Sequence, residues 1–552
     1  MSHSIPGYLA IPLATALLVT GCATNRQYHG PYKSANEQRA QRAHATQTAS
    51  APAPTATPEQ ARPRTPMGRQ TASRPVTKAP QQATAARPTP ASGPGKGTNI
   101  YDVHVDNPHA TEGCRMGFIE FDDMGGFWNA TQLVNVLDDI KKQDKIILFV
   151  FIHGWQNSAK VWGDLEKFDP TPEGDAQRFK NFLLTMANMP MVKASGRKVY
   201  GVFLGWRGEL VVKGSDPVSQ QLLRVPRFLT FWSRRAAATR MGDAASMGAT
   251  LMALREAGRP NPIPKPDDPI LVFMGHSFGS KVLEQAVAQW MAREAGERIA
   301  RAGSDRAITI PRFADMVLFL NSAGEAIYTR RIRSLLPDRE DFHKMPPYFV
   351  SVTSETDTAT KIAFPIATTI GTALGSFQKF ATEGVSSSLF FRRTTPFNQF
   401  MLNGQVDSIP DLAWRLPGEI YEPDPKQRIQ AVVDKTSPDY FKQMLQTVQF
   451  NAAAKDDKGP GAYRIYGTDG TVSQITMLDP KEHPDVKNRS GFWVFRVEKN
   501  IMNGHSDIWN LNAIILYTKL FRLSCPRRVD GTQVEFPGYD PYVIEAKLQP
   551  DL

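Results

Sequence analysis

Between residues 115 and 525 the chain alternates two hydrophobic patterns. Short continuous apolar runs, rich in Ile, Val and Phe, occupy 145–152, 269–274, 315–320, 347–353 and 491–497, with two more at 117–121 and 198–204. Runs of this length that are apolar on every position suit strands buried on both faces. Between them, apolar residues recur at helical spacing. Leu133, Val136, Leu137 and Ile140 mark one side of a helix over 130–142, and Val282, Ala286, Val287 and Trp290 one side of a helix after Gly279. Further helices are expected at 175–189, 228–240 and 243–257, and after the last strand through Leu520. Strands alternating with helices predict an α/β fold with a doubly wound, mostly parallel sheet.

Two regions break the pattern. From 366 to 490 the signal is weak, with a helix expected at 366–381 and a hairpin at 463–477 around Thr468-Asp469-Gly470. By analogy with insertions between late strands elsewhere, this region is expected to help shape a pocket. From Ala23 to about Gly97 the chain is Pro, Ala, Thr, Gln and Arg with almost no large apolar residues, too few to offset the entropy of ordering. The expected organisation is therefore a leader at 1–22, a disordered tether at 23–100 and one folded domain at 101–552.

Charge sharpens this division. The tether carries eleven Lys/Arg against two acids, which leaves the folded part only about +2 of the chain's +11. The basic character belongs to the tether, and the domain has no charge signature of a nucleic-acid binder.

The leader has an apolar run over 8–19 that ends in Val19-Thr20-Gly21-Cys22. This resembles the bacterial lipobox, although Pro6 and Pro12 interrupt the hydrophobic stretch before it and no Lys or Arg precedes it. The resemblance implies a diacylated Cys22 and, because Ala23-Thr24 lacks an aspartate, an outer-membrane location facing the periplasm. An ordinary cleaved signal or an uncleaved anchor is the alternative. Cys114 and Cys525 are then left, either as a disulfide, which an exported protein can form, or as two separate buried thiols.

The chemistry centres on Gly275-His276-Ser277-Phe278-Gly279, set between a buried strand and a helix. It resembles the nucleophile elbow of the α/β-hydrolase superfamily, where small flanking residues let a serine sit on a sharp turn. The bland alternative is a tight turn with Ser277 capping the helix. Upstream, His153-Gly154-Trp155 ends an early strand and resembles the superfamily's oxyanion loop, which implies main-chain N–H donors at Trp155 and Phe278. The resemblance also places an acid after the strand two beyond the nucleophile, where Ser354-Glu355-Thr356-Asp357 falls. Asp357 is the first choice, with Glu325 and Glu355 behind it. The general base is expected after the last strand, at His505 in Gly504-His505-Ser506-Asp507, rather than at His343 or His483.

Other candidates have simpler explanations. Asp122-Asp123-Met124-Gly125-Gly126 reads as a turn before it reads as a cation site. Arg207, Arg234, Arg235 and Arg240 read as surface or fold-stabilising charges before they read as an anion site. Trp155, Trp206, Phe278 and Phe364 line an apolar pocket or belong to the core. The resemblance implies an envelope-anchored serine hydrolase of esterase or lipase type. It acts on a small-molecule or lipid acyl group, touches the membrane through Cys22 and needs neither metal nor organic cofactor. Peptidases, thioesterases and acyltransferases use the same triad. The alternative from another class is a catalytically inactive hydrolase-fold lipoprotein serving as an envelope scaffold.

Overall fold

The computed structural model describes residues 27–30, 98–104, 111–161, 165, 168–169, 172–209, 230–261, 263–302, 308–324, 326–336, 346–354, 356–357, 439, 441–446, 462–466, 472–476, 491–497, 499, 501–527, 529, 540 and 542–546. Cys22, Glu325, His343, Glu355, Phe364, His483 and the helix expected at 366–381 lie outside them, as does most of the insertion.

Eight strands form the central sheet. They are β1 (Ile100–Val103), β2 (Cys114–Glu120), β3 (Ile146–Ile152), β4 (Lys198–Gly205), β5 (Ile270–His276), β7 (Met316–Leu320), β8 (Phe349–Ser354) and β11 (Phe492–Val497). Their spatial order is β1-β2-β4-β3-β5-β7-β8-β11, with only the edge strand β1 antiparallel to its neighbour. This is a mostly parallel, α/β-hydrolase-like sheet flanked by helices. The hairpin is present as β9 (Ala462–Tyr466) and β10 (Val472–Thr476), and a second antiparallel pair joins β6 (Ile308–Pro311) to β12 (Val543–Ala546).

Side chains alternate between the two faces, as a strand requires. On β3, Ile147, Phe149 and Phe151 enter one core, while Ile146, Leu148, Val150 and Ile152 enter the other. The first core is covered by α2 (Gly174–Ala187), the short α3 (Pro190–Ser195) and α8 (Leu511–Ser524). The second is covered by α1 (Thr131–Ile140), α4 (Phe231–Asp243), α5 (Ala245–Gly258), α6 (Phe278–Ala302) and α7 (Ala326–Ser334). The order of strands reverses direction at β5: earlier strands lie on one side, later ones on the other. Ligand crevices of open α/β sheets form at such a reversal, outside the carboxyl ends of the strands.

Three expectations are settled by packing. Asp122 closes its turn by accepting from the Met124 and Gly126 N–H groups. Asp123 pairs with Arg207 and with Arg234 at 2.7 Å, while Arg240 donates to the Asp123 carbonyl. Burial works against ionisation of Asp123, but Arg234 and Arg207 outweigh it and hold its carboxyl below the usual range. These arginines therefore fasten a loop. Cys114 and Cys525 are both free and buried in the same core, and burial pushes both thiols up.

Within the stretch read as a tether, Gln27–Gly30 are packed against the sheet. The Glu120 carboxylate, at the end of β2, accepts the main-chain N–H of Tyr28 and of His29, each at 2.7 Å. His29 is buried, and its ring stacks on Phe118 at 3.6 Å. The Gln132 side-chain amide donates to the His29 carbonyl, and the Gln132 main-chain carbonyl accepts from Asn99. Two histidine-adjacent amides satisfied by a carboxylate from another segment offset the lack of apolar bulk that the composition registered.

Candidate active site

Ser277 follows directly on β5 and has φ 55°, the strained left-handed region that an elbow imposes on its nucleophile. Its flanking glycines are steric necessities. A Cβ on Gly279 would lie 2.1 Å from the Ile152 carbonyl oxygen, and one on Gly275 would lie 2.7 Å from the Ser280 Cα. Gly154 is equally constrained, since its Cβ would meet the Ser277 Cβ at 2.7 Å. The His153-Gly154-Trp155 loop thus presses against the nucleophile.

His505 Nε2 lies 2.7 Å from Ser277 Oγ, and its Nδ1 lies 2.8 Å from Asp357 Oδ2. Asp357 is fully buried, whereas the His505 side chain keeps 18% exposure. With an acid on Nδ1, the imidazole carries its proton there and offers Nε2 to the serine hydroxyl as an acceptor. Ser277, Asp357 and His505, which lie far apart in sequence, are brought together as an intact Ser-His-Asp triad. This is the arrangement of a serine hydrolase.

A supporting layer holds the base in place. Asn321, fully buried at the end of β7 with φ 41°, donates to the carbonyls of His505 at 2.9 Å and Gly504 at 3.2 Å. Its Oδ1 accepts from the Ser354 N–H at 2.8 Å. His276 Nε2 also donates to the His505 carbonyl, at 2.9 Å. The acid loop clasps the base loop directly, because Thr356 Oγ1 accepts from the Gly504 N–H at 2.9 Å and Ser354 Oγ donates to the Met502 carbonyl. Behind His276 sits Asp175, buried in the first turn of α2, 3.8 Å from His276 Nδ1. Burial disfavours its charge, but His276 above all, with Arg178, outweighs that and pulls its carboxyl below the usual range.

His153 has the structural role expected of its imidazole. Its Nε2 accepts from the Trp206 N–H at 3.0 Å, leaving the proton on Nδ1, which faces the Gly154 carbonyl. Burial pushes it down to about 4, so the ring stays neutral. Trp155 is half-buried, with its indole N–H on Thr230 and its ring against Phe231, which in turn packs on Phe278. Of these groups, the sequence patterns picked out the triad and the loop but not Asn321, His276 or Asp175. His276 occupies a variable position of the motif. The one local signal for Asn321 is that Asn tolerates positive φ at a strand end.

Comparison with known proteins returns no match among family models, curated proteins or solved structures.

Proposed function

We propose that this chain is an envelope-anchored serine hydrolase that cleaves acyl esters through an acyl-enzyme. The observation that carries this reading is the unbroken relay from Ser277 through His505 to buried Asp357. Ser277 Oγ attacks the acyl carbonyl while its proton passes to His505 Nε2, and Asp357 stabilises the resulting imidazolium. The oxyanion is received by the main-chain N–H groups of Trp155 and Phe278, each worth roughly 3 kcal/mol in the transition state. Gly154, which directly precedes Trp155, presses on Ser277, and Phe278 directly follows Ser277, which supports that role. Collapse of the adduct expels the alcohol with the proton from His505. Water, deprotonated by the same imidazole, then releases the acid.

An assembled relay favours a hydrolase over an inactive scaffold, which has no use for it. Anchoring at Cys22 rests on the resemblance of Val19-Thr20-Gly21-Cys22 to a lipobox, and with it comes the outer-membrane, periplasm-facing location. The substrate in this reading is a small-molecule or lipid acyl ester.

The test is fluorophosphonate labelling of the full-length protein beside Ser277→Ala and His505→Ala. Labelling of the parent, lost in the first variant and strongly reduced in the second, is expected. A well-folded parent that takes no label would refute the hydrolase reading. Mass analysis of the envelope-purified protein and of Cys22→Ala decides the anchor separately, with a diacylglyceryl adduct present only in the parent.

A further inference from the structure

The packed Gln27–Gly30 segment docks on Glu120 at the carboxyl end of β2, and Ser277 sits at the carboxyl end of β5. Strand registers align Ile119 with Leu204, Leu204 with Ile152 and Ile152 with Gly275, and Glu120 and His276 are the next residues along β2 and β5. Three interstrand steps of ~4.8 Å put Glu120 about 14 Å from the elbow. Between them runs the loop that begins at His153-Gly154-Trp155 and ends at Ala159.

That loop is held at both ends. At its near end Gly154 presses on Ser277, and the Gln156 N–H donates to the Gly208 carbonyl at 3.0 Å. At its far end the buried Ala159 lies so close to Gly205 that a Cβ there would meet the Ala159 Cβ at 2.6 Å. The Ala159 carbonyl accepts from His29 Nε2 at 2.8 Å. Since Nε2 is the donor, the neutral ring leaves Nδ1 as an acceptor, and the Tyr101 hydroxyl faces it at 3.1 Å. Burial supports this state, pushing His29 down to about 4. The segment itself is fixed by the Glu120 carboxylate on two successive N–H groups and by Gln132 on the His29 carbonyl.

We propose that residues 27–30 are an internal docking peptide for the socket formed by Glu120, Gln132 and Phe118, and that through it His29 acts as a positioning residue for the oxyanion loop. This rests on the serine-hydrolase reading and on Trp155 as an oxyanion donor. Docking makes the N-terminal end of the chain a working part of the active site, so release of the segment lowers turnover without touching the triad.

The experiment uses full-length protein and measures the saturation kinetics of fluorophosphonate labelling, alongside amide exchange at Tyr28 and His29. The parent is expected to show both amides protected. His29→Ala is expected to lower the limiting labelling rate by about tenfold, with little change in half-saturating probe concentration, because the loss falls on the charge that develops in the transition state. His29→Gln, whose Nε2 can reach the Ala159 carbonyl, is expected to recover most of that rate, which a loss of stability alone would not do. Should His29→Ala not fold, Glu120→Gln gives the same comparison, since its amide sets a donor against a main-chain donor. Unprotected amides in the parent, or a limiting rate within twofold of the parent in a folded His29→Ala or Glu120→Gln, overturn the proposal and leave the triad reading intact. A parent that takes no label overturns both.

Discussion

Asn321 is the residue whose removal most directly separates holding the base from being the base. Its side chain makes three hydrogen bonds, to the His505 and Gly504 carbonyls and from the Ser354 N–H, all in a fully buried position. At about 1 kcal/mol net for each, Asn321→Ala forfeits about 3 kcal/mol. Holding alanine at φ 41° adds about 1 kcal/mol more, for a total near 4 kcal/mol. The catalytic effect follows from position, since an error of about 1 Å at His505 costs up to about a hundredfold in turnover. Asn321→Asp separates the two terms. It keeps the acceptor for Ser354 and tolerates the backbone, but sets a carboxylate against two carbonyls. The assay is denaturant unfolding together with ester turnover or fluorophosphonate labelling. The expected pattern is a large stability loss in Asn321→Ala and a tenfold or greater loss of rate in both. A folded Asn321→Asp with a rate within threefold of the parent would refute the claim that this residue positions the base.

The same glycine-to-alanine change should have opposite signs at different sites. Gly279→Ala drives a Cβ into the β3 carbonyls and should cost at least about 3 kcal/mol, whereas Gly248→Ala and Gly296→Ala, in helices with nothing within 4 Å, should each stabilise by about 0.5–1 kcal/mol in denaturant unfolding. Burial raises Glu120 to about 7, against a model-peptide value of 4.5, although the N–H groups of Tyr28 and His29 and the amide of Gln132 oppose the shift. The folded chain therefore holds a proton that the unfolded chain has lost between pH 4.5 and 7, so stability should fall as pH rises through that window, by up to about 3 kcal/mol. Unfolding measured across this range should show the slope in the parent and not in Glu120→Gln. Cys114 and Cys525, both buried with raised thiols, should react with Ellman's reagent only on unfolding. Two thiols titrated in unreduced, unfolded Cys22→Ala protein bear this out, and none would mean a disulfide.

The central strands were legible because each is apolar at nearly every position, a pattern that only two-sided burial explains. The runs at 145–152 and 491–497 are found as β3 and β11 within one residue at each end. Ser277 was legible because its turn excludes side chains on both flanks, so geometry is written into composition. Asp357 and His505 were legible only through their place after particular strands. What escaped depends on contacts between distant segments. β1, β6 and β12 are four residues long, too short for any period to register. Tyr28 and His29 dock through main-chain amides, which every residue has. Asn321, His276 and Thr356 act on a backbone brought to them by the fold, and no spacing in the chain encodes that meeting.

The convergence of His29 and Asn99 on Gln132 changes the mechanics of any anchor at Cys22. A free chain from residue 22 to residue 98 would let the enzyme roam about 45–50 Å from its attachment on average. With Tyr28 pinned to Glu120, residues 31–97 add nothing to that reach. The leash is instead the six residues from Cys22 to Tyr28, which span at most about 20 Å. It ends at the carboxyl end of the strands, where the nucleophile also sits. Acylated at Cys22 as proposed, an enzyme held so short would graze the surface to which it was fastened.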